Sequence, residues 1–315
     1  MLVENVDLQE IVNKGNVALI DVSWVLHKSA YVFEGMSYNG VSTGNLYGLL
    51  NAVHSFLSCN VKSVILVKDG KPVERKAICE AAGVDYKGQR EGHAETVYGN
   101  LSDGLAMASY HPDVYFSYNE DKEADDNIYC LAKKLHDLGC IEVIIHSGDN
   151  DLLQTLTKDE KIIVARKWDR GCFVDITYSD VAMKEEFTKK FHGVEPSVLP
   201  LFRAMCGDSS DNIAGIYRLP RKKAASWTMQ AGWDIHNRGV DDDLECLHSV
   251  IFQESLKKDK WAMQCLNQWD VIKNNYAIMK LNANYEANLV KVKPTRAEFD
   301  ALINKYNMRK WYMFV

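Results

Sequence analysis

Carboxylate side chains recur in this sequence at the points where short apolar runs end. They are Asp21 after Val17–Ile20, Asp69 after Val64–Val67, and Asp149 with Asp151 after Val143–Ile145. One aspartate after a strand is commonly a turn former or a helix cap, but here three runs share the feature. In an open parallel sheet, ligands bind beyond the carboxyl ends of the strands. We therefore expect these carboxylates to meet at one sheet edge, with Asp149 and Asp151 facing the same way in an extended segment.

A second acidic group, Glu123-Ala124-Asp125-Asp126, opens a predicted helix. The helix dipole explains one or two acids in a first turn, but Glu123 and Asp126 are also three residues apart and share a helix face. So many carboxylates near one sheet edge would repel one another and raise their pKa values unless cations neutralised them. Oxygen ligands of this kind suit Mg²⁺ or Mn²⁺.

The segment Gly207–Ala225 separates its charges along the chain. Asp208 and Asp211 lie one helical turn apart, and the bases that follow them are Arg218, Arg221, Lys222 and Lys223. A solvated surface would mix the two signs. The first half of the segment is therefore expected to face cations, and the second half to face anions such as phosphate.

The elements that must position these residues follow from the apolar pattern. The predicted strands are Val17–Ile20, Val64–Val67, Val143–Ile145 and Ile162–Ala165, and the predicted helices between them include Tyr47–Leu57 and Asp125–Leu138. Short branched apolar runs that alternate with helical patterns indicate a parallel sheet buried on both faces. Residues 1–180 are therefore expected to form an α/β unit, a mostly parallel central sheet flanked by helices, and residues 181–315 a helical part packed against it.

The composition sets the broad class. The 315 residues are 47% apolar and 25% charged, as in an ordinary globular chain. The sequence has no run of the roughly 18 apolar residues that a membrane helix needs and no secretory signal pattern. Its eight cysteines form no CxxC pair, which predicts reduced thiols in a cytoplasmic protein, with no disulfide frame or zinc site. The net charge of −6 argues weakly against a polyanionic partner, unless clustered metal-binding carboxylates mask a basic surface.

From Asp21 to about Leu281 the sequence resembles the 5′-to-3′ exonuclease and flap endonuclease family, in its bacteriophage and bacterial branch. The similar segments, in order, are VKDGKPVER with Asp69 and Arg75, YKGQR with Tyr86, Lys87 and Arg90, EADD, SGDNDLLQTL, GDSSDNIAGI and NNYAIMKL. EADD alone is a weak signal, but the ordered combination is a strong one. The spacing from Arg75 to YKGQR is longer than the family's usual spacing.

The resemblance implies a PIN-like nuclease fold and two-metal phosphodiester hydrolysis. It implies two Mg²⁺ or Mn²⁺ ions held by Asp21, Asp69, Glu123, Asp125, Asp126, Asp149, Asp151, Asp208 and Asp211. Lys87 and Arg90 would offset charge on the scissile phosphate and, with Asp21, form the catalytic set. Nucleic acid would be contacted by Arg75, Tyr86, Lys87, Arg90, Arg218, Arg221, Lys222 and Lys223.

The resemblance also places functional segments. Residues of about 85–110 would form a gateway helix, carrying Tyr86, Lys87 and Arg90, and a mobile helical arch; residues of about 196–232 would form a helix–three-turn–helix. The family's hairpin there binds K⁺ and duplex phosphate through its backbone. Arg218 and Pro220 replace two of its glycines, which argues against K⁺ and favours phosphate contact through the basic side chains.

The implied substrates are DNA with 5′ flaps, ends or nicks, and RNA–DNA hybrid during primer removal. The expected state is a monomer in the cytoplasm, away from membranes, with replication proteins as possible partners. Two other readings stay open, a nucleic-acid-binding relative with a decayed site and a PIN-type ribonuclease. The intact acid set disfavours the first, and the segment from Asp208 onward disfavours the second.

Overall fold

A computed structural model describes residues 2–87, 97–169, 172–238 and 242–314. The strands of its main sheet are β1 (Leu2–Asn5), β2 (Val17–Asp21), β5 (Ser63–Lys68), β6 (Val114–Tyr118), β7 (Val143–His146), β8 (Ile162–Asp169), β9 (Cys172–Ile176) and β12 (Leu289–Lys293). Two small hairpins pair β3 (Ser37–Tyr38) with β4 (Val41–Ser42) and β10 (Gly207–Asp208) with β11 (Ile213–Ala214).

The strand order in the main sheet is β1-β12-β6-β5-β2-β7-β8-β9. The pairs among β6, β5, β2, β7 and β8 are parallel, whereas β1, β12 and β9 run antiparallel to their neighbours. Every residue of β2 is buried, as expected for a parallel strand covered on both faces. The predicted fold class, a mostly parallel central sheet flanked by helices, is confirmed.

Helices cover both faces of this sheet. In the first part of the chain they are α1 (Leu8–Lys14), α2 (Val22–Val32), α3 (Gly44–Ser58), α4 (Val73–Ala81), α5 (Leu101–Ser109) and α6 (Ala124–Asp137). One core lies between the sheet and α6 and includes Ile128 and Leu131. The opposite core lies under α2 and α3 and includes Leu49 and Phe56.

The second part of the chain is mostly helical, as predicted. Its helices are α7 (Tyr178–Met183), α8 (Glu185–Phe191), α9 (Leu199–Cys206), α10 (Arg221–Arg238), α11 (Asp243–Leu256), α12 (Lys260–Asn267), α13 (Trp269–Met279) and α14 (Arg296–Tyr306). Short 3₁₀ turns lie at Asp151–Thr155, Pro196–Val198, Ser209–Asp211 and Arg309–Phe314. No helix in the described ranges is both long enough and apolar enough to cross a bilayer.

The chain returns to the first sheet near its C-terminus, which the sequence reading did not anticipate. Strand β12 inserts between β1 and β6, with Val290 opposite Phe116 and Val3 opposite Val292. The following α14 buries Phe299 and the last turn buries Trp311 in the core under α3.

The predicted mobile arch is wrong for its second half. Helix α5 occupies residues 101–109 and packs with α3, burying Leu101, Met107 and Ala108. Gly104 lies so close to Leu46 that an added Cβ would approach a methyl carbon of that leucine to 2.8 Å. This helix is part of the core. Residues 88–96, which hold the rest of the predicted arch and Arg90, lie outside the described residues.

Candidate active site

Four aspartates, hereafter the central carboxylates, are anchored at one edge of the sheet. They are Asp21 at the end of β2, Asp69 after β5, Asp149 after β7 and Asp125 in the first turn of α6. Since β5, β2 and β7 are adjacent parallel strands, their carboxyl ends bring three of these acids together. The strand order therefore brings these carboxylates to one sheet edge, as the sequence predicts.

Backbone and hydroxyl donors hold three of the central carboxylates in place. Asp21 caps α2 by accepting from the Trp24 amide at 3.0 Å, and its other oxygen accepts from the Ser147 hydroxyl at 2.8 Å. Asp69 accepts from the Ala124 amide at 2.7 Å, which ties the end of β5 to the start of α6. Asp149 accepts from the backbone amide of residue 151 at 2.8 Å. These bonds leave carboxylate oxygens for other partners.

Burial and the charges of neighbouring acids disfavour the ionised forms of Asp21 and Asp125. Burial, reinforced by the charges of Asp69 and Asp149, raises the pKa of Asp21 to about 7. Burial and the neighbouring charges of Asp149, Asp21 and Asp69 also raise the pKa of Asp125 well above its usual value. In the described ranges, none of the four forms an ion pair with a lysine or arginine. A bound cation would relieve this repulsion.

Arg75 pairs with the acids on one side of this group. Its buried guanidinium contacts Glu123 and donates to Asp126 at 2.9 Å. The Lys87 ammonium contacts the other oxygen of Glu123, and the buried Tyr86 hydroxyl donates to that residue at 3.0 Å. Although burial acts in the opposite direction, Lys87 and Arg75 lower the pKa of Glu123. Glu123 is thus held ionised by cations of the protein itself.

Arg203 of α9 pairs with the acids on the other side. Its guanidinium contacts both Asp151 and Asp208, and the three side chains are 12%, 13% and 16% exposed. Asp208 also accepts from the Ser210 amide at 2.8 Å. Burial opposes the ionisation of Asp208, but Ser210 and Arg203 lower its pKa. Sequence reasoning missed Arg203, although a single base in the apolar helix LPLFRAMC was a signal that could have found it.

Two local expectations about backbone geometry were wrong. Asp151 begins a 3₁₀ turn, so Asp149 and Asp151 do not alternate in an extended segment. Tyr86 and Lys87 lie in a turn that follows α4, and Lys87 has a left-handed φ of +57°. This turn places the Lys87 amide 3.3 Å from the Asp211 carbonyl, next to the segment with the other predicted acids.

The donor chemistry of this cluster fits hard divalent cations. All the predicted ligands in it are carboxylates, the oxygen donors that Mg²⁺ and Mn²⁺ accept. Within the described ranges, no three acidic, cysteine or histidine side chains stand close enough together to hold one ion as they are now oriented. The fit therefore lies in charge and chemistry: in the described ranges the four central carboxylates, which are buried or half-buried, form no ion pair with a base, while Arg75 and Arg203 hold the acids on either side.

Open cavities among the described residues reach the cluster. One of about 670 Å³ is bounded by Asp69, Lys68, Tyr98 and Phe116. The other, of about 740 Å³, has Asp208 in its wall and is lined by bases from three helices, Lys190, Arg203 and Arg221. The phosphate groups of a nucleic acid would meet basic side chains in the second cavity.

Residues 215–223, hereafter the basic hairpin, comprise the turn before α10 and the first residues of that helix, and they expose part of their positive charge. Arg218 adopts a left-handed φ of +56°, and its guanidinium lies 4.9 Å from the centre of the exposed Tyr217 ring. Lys222 is exposed in the first turn of α10, whereas Lys223 contacts Asp259. The predicted phosphate-binding bases therefore differ in how strongly they already interact with other side chains of the protein.

Comparison with known proteins places this arrangement in a family. A sequence model described as 5′-3′ exonuclease, N-terminal resolvase-like domain, matches residues 16–192. A 5′-3′ exonuclease of Buchnera aphidicola is 23% identical over 304 residues, covering 96% of this chain and 98% of the relative. A 5′-3′ exonuclease of Aquifex aeolicus is 29% identical over 210 residues, covering 65% of this chain and 66% of the relative.

A DNA polymerase I and two solved structures are also similar. The polymerase, from Caldicellulosiruptor bescii, is 27% identical over 220 residues, covering 66% of this chain but 23% of its own length. A bacteriophage T5 flap endonuclease, solved as a complex with DNA and metal ions, superposes with a TM-score of 0.58 at 16% identity, covering 84% of this chain and 89% of its own. The catalytic core of Rad2 with a DNA substrate gives a TM-score of 0.51 at 12% identity, covering 96% and 91%.

The structural likenesses establish the fold, and the sequence match establishes the family because it covers more than half of the chain. The matched residues 16–192 carry seven of the nine acids that the sequence singled out, together with Arg75 and Lys87. The acids of that region converge where β2, β5 and β7 end. This chain therefore belongs to the 5′-3′ exonuclease family and is a nuclease.

Proposed function

We propose that this nuclease hydrolyses phosphodiester bonds of DNA at 5′ flaps, ends and nicks with two Mg²⁺ ions, which Mn²⁺ can replace. The observation that carries the proposal is the group of central carboxylates, four buried or half-buried acids at one sheet edge that form no ion pair with a lysine or arginine in the described ranges, with the charges of their neighbours raising the pKa of Asp21 and of Asp125. Support also comes from the bacteriophage T5 flap endonuclease of the same fold, whose structure contains DNA and metal ions.

In this proposal the central carboxylates hold one ion, and the acids beside them complete the site. The acids that complete it are Glu123, Asp126, Asp151, Asp208 and Asp211, some of them through water. Bound divalent ions would supply an activated water and stabilise the leaving oxygen of the displacement. The anchoring bonds to Asp21, Asp69 and Asp149 keep these residues at the sheet edge, where a modest reorientation of their side chains would let them share the ion.

Lys87 has the proposed role of neutralising charge on the scissile phosphate, together with Arg90. In the structure the Lys87 ammonium contacts Glu123, at the rim of the acidic cluster. Once metal neutralises the acids, this ammonium can turn to a phosphate oxygen nearby. Arg75 is buried between Glu123 and Asp126, so we assign it to holding those acids, with no direct contact to nucleic acid.

The proposed duplex-binding element is the hairpin that leads into α10. Three bases, Arg221, Lys222 and Lys223, stand in the first turn of this helix, where the helix dipole disfavours positive charge and attracts anions. Arg218 occupies a left-handed position that glycine would adopt without strain. We propose that phosphate contact by these side chains replaces K⁺ at this hairpin, and that Lys223 contributes least because it pairs with Asp259.

We further propose that the protein acts on RNA–DNA hybrid, is a monomer in the cytoplasm and contacts replication proteins. Tyr86 is buried, so we assign it to orienting Glu123 and not to base stacking.

Cleavage assays on three labelled substrates test the proposal. A 5′ flap, a nicked duplex and a single-stranded RNA are incubated with Mg²⁺ or with chelator. We expect metal-dependent cutting of the flap and of the nicked duplex. Binding without cutting of any substrate would favour the decayed relative, and cutting of RNA alone would favour the PIN-type ribonuclease.

A further inference from the structure

We infer that Arg203 is a resident cation of the active site, which takes the place of a divalent ion between Asp151 and Asp208. On this inference, tight metal binding is limited to the central carboxylates, and a second ion binds only when Arg203 moves aside. The inference rests on the proposed function, because it concerns how many ions the nuclease site holds.

The first support is the position of the guanidinium. Arg203 contacts Asp151 and Asp208, which come from separate segments, the 3₁₀ turn after β7 and the β10 hairpin. The planar fork of arginine can serve two carboxylates at once. Because all three side chains are largely shielded from solvent, this contact is part of the packed site and not a surface ion pair.

The second support is the distribution of charge around the cluster. Asp151 and Asp208 together carry a charge of about −2 when ionised, and Arg203 cancels half of it. The four central carboxylates form no such ion pair in the described ranges. A divalent cation therefore gains most at the central carboxylates, where no base forms an ion pair with the acids, and gains less where it must compete with Arg203.

The third support is that Arg203 cannot be released by losing its proton. Arginine stays charged at all ordinary pH values. A metal ion that binds between Asp151 and Asp208 must displace the guanidinium, which then needs a new partner. The cavity lined by Arg203, Lys190 and Arg221 lies next to it, so a phosphate group of the substrate is a suitable partner. Substrate would in this way help the second ion to bind.

Equilibrium titration with Mn²⁺ tests the inference without any catalytic step. Metal-free wild-type protein, Arg203→Met and Arg203→Lys are titrated with Mn²⁺ in the absence of DNA, and bound ions are counted by calorimetry or by the loss of the free-ion resonance signal. We expect one tight site in the wild type and a second site, bound at least tenfold more tightly than in the wild type, in Arg203→Met. Arg203→Lys should show a smaller gain, since one ammonium cannot serve both acids equally.

The control is Arg296→Met, which removes an exposed arginine of α14 that pairs with Asp300. It should bind Mn²⁺ as the wild type does. If Arg203→Met fails to fold by circular dichroism, Arg203→Lys decides the question. Identical isotherms for the wild type and the folded Arg203 variants would overturn the inference. A wild type that cuts flaps and binds Mn²⁺ while the variants are unchanged refutes the role of Arg203 alone, whereas a wild type that neither binds Mn²⁺ nor cuts refutes the proposed function as well.

Discussion

At the scale of single residues, the site combines acids that a cation must neutralise with acids that the protein neutralises itself. Asp21 and Asp125 belong to the first kind, since burial and neighbouring acids raise their pKa values. Glu123 belongs to the second, because Lys87 and Arg75 lower its pKa against the effect of burial. The two kinds of acid make different predictions for substitution.

Asp149→Asn is expected to remove nuclease activity while leaving DNA binding intact. The change deletes a charge that the proposed metal needs but leaves the basic surface unchanged. We expect turnover to fall by at least about a hundredfold, since metal stabilisation of the transition state is worth several kcal/mol, while DNA affinity stays within about twofold by fluorescence anisotropy. The matched control Asp137→Asn changes an exposed aspartate of α6 and should leave both values unchanged. Normal turnover of Asp149→Asn at ordinary Mg²⁺ concentrations would count against the ligand assignment.

Asp21→Asn is expected to change how stability depends on pH. The pKa of Asp21 is about 7 in the fold and 3.8 without the fold's influence, so the fold favours the protonated form. This contribution to stability is fully present below the unfolded pKa and is lost as the pH rises through about 7. With chelator at pH 8, the asparagine variant should therefore be more stable than the wild type, by an amount on the order of a few kcal/mol.

Thermal unfolding from pH 4 to pH 8 measures this effect. Addition of Mg²⁺ should stabilise the wild type at pH 8 and should stabilise the variant less, because ligand binding to the native state raises its stability. A variant with the same pH profile and the same Mg²⁺ response as the wild type would show that ionisation of Asp21 does not destabilise the fold.

At the scale of elements, strands buried on both faces could be predicted from sequence and strands with mixed surroundings could not. Residues 17–20 of β2 are all apolar, so the position of this strand could be predicted from the sequence. Strand β12 has Lys291 on its buried side, where the ammonium donates to the carbonyl of Ser109 at 3.2 Å and to that of Val114 at 2.7 Å. A buried lysine breaks the usual alternation, and its partners lie more than 170 residues away in the chain.

The same limit applies to the site. Acids at strand ends were predictable because strand order in a parallel sheet brings carboxyl ends together. The partners of the arginines beside them were not predictable, because nothing local indicates that Arg75 contacts α6 or that Arg203 contacts the turn after β7. The expectation of a mobile arch, which came from the resemblance, does not hold for residues 101–109, because Gly104 serves close packing against α3 and the sequence does not show this contact.

The basic hairpin gives a prediction at this scale. Replacement of Arg218, Arg221 and Lys222 by alanine should weaken duplex binding and flatten its salt dependence. The reason is that each lost phosphate contact makes the negative slope of log K against log salt less steep by about 0.9. Cutting of short single strands should be spared. The matched control replaces three paired surface lysines, Lys257, Lys273 and Lys293, and removes the same charge. A slope that changes equally in both triple variants would mean that total charge, and not this hairpin, governs binding.

At the scale of the whole molecule, the C-terminal segment completes the sheet on which the site stands. Strand β12 lies between β1 and β6, and β6 pairs with β5, the strand that ends at Asp69. Phe299 and Trp311 belong to the same core as Leu49 and Phe56. The described parts of the chain therefore share cores instead of packing as separable halves.

A chain that ends at Glu286 should consequently lose cooperative unfolding together with activity. The deletion exposes the edges of β1 and β6 and removes a buried aromatic cluster. Phe299→Ala in the full chain is the milder comparison, with an expected loss of about 3–5 kcal/mol of stability. Circular dichroism melts and flap cleavage measure both variants. A shortened chain with a sharp melting transition and wild-type cleavage would contradict this account of the fold.

The central claim is that acids distant in the sequence share divalent ions at one sheet edge. Anomalous diffraction from crystals grown with Mn²⁺ tests it most directly, because it locates the metal independently of catalysis. We predict a strong anomalous peak bounded by Asp21, Asp69, Asp125 and Asp149. Crystals saturated with Mn²⁺ that show no peak among these four side chains, or show their strongest peaks elsewhere on the molecule, would contradict the claim.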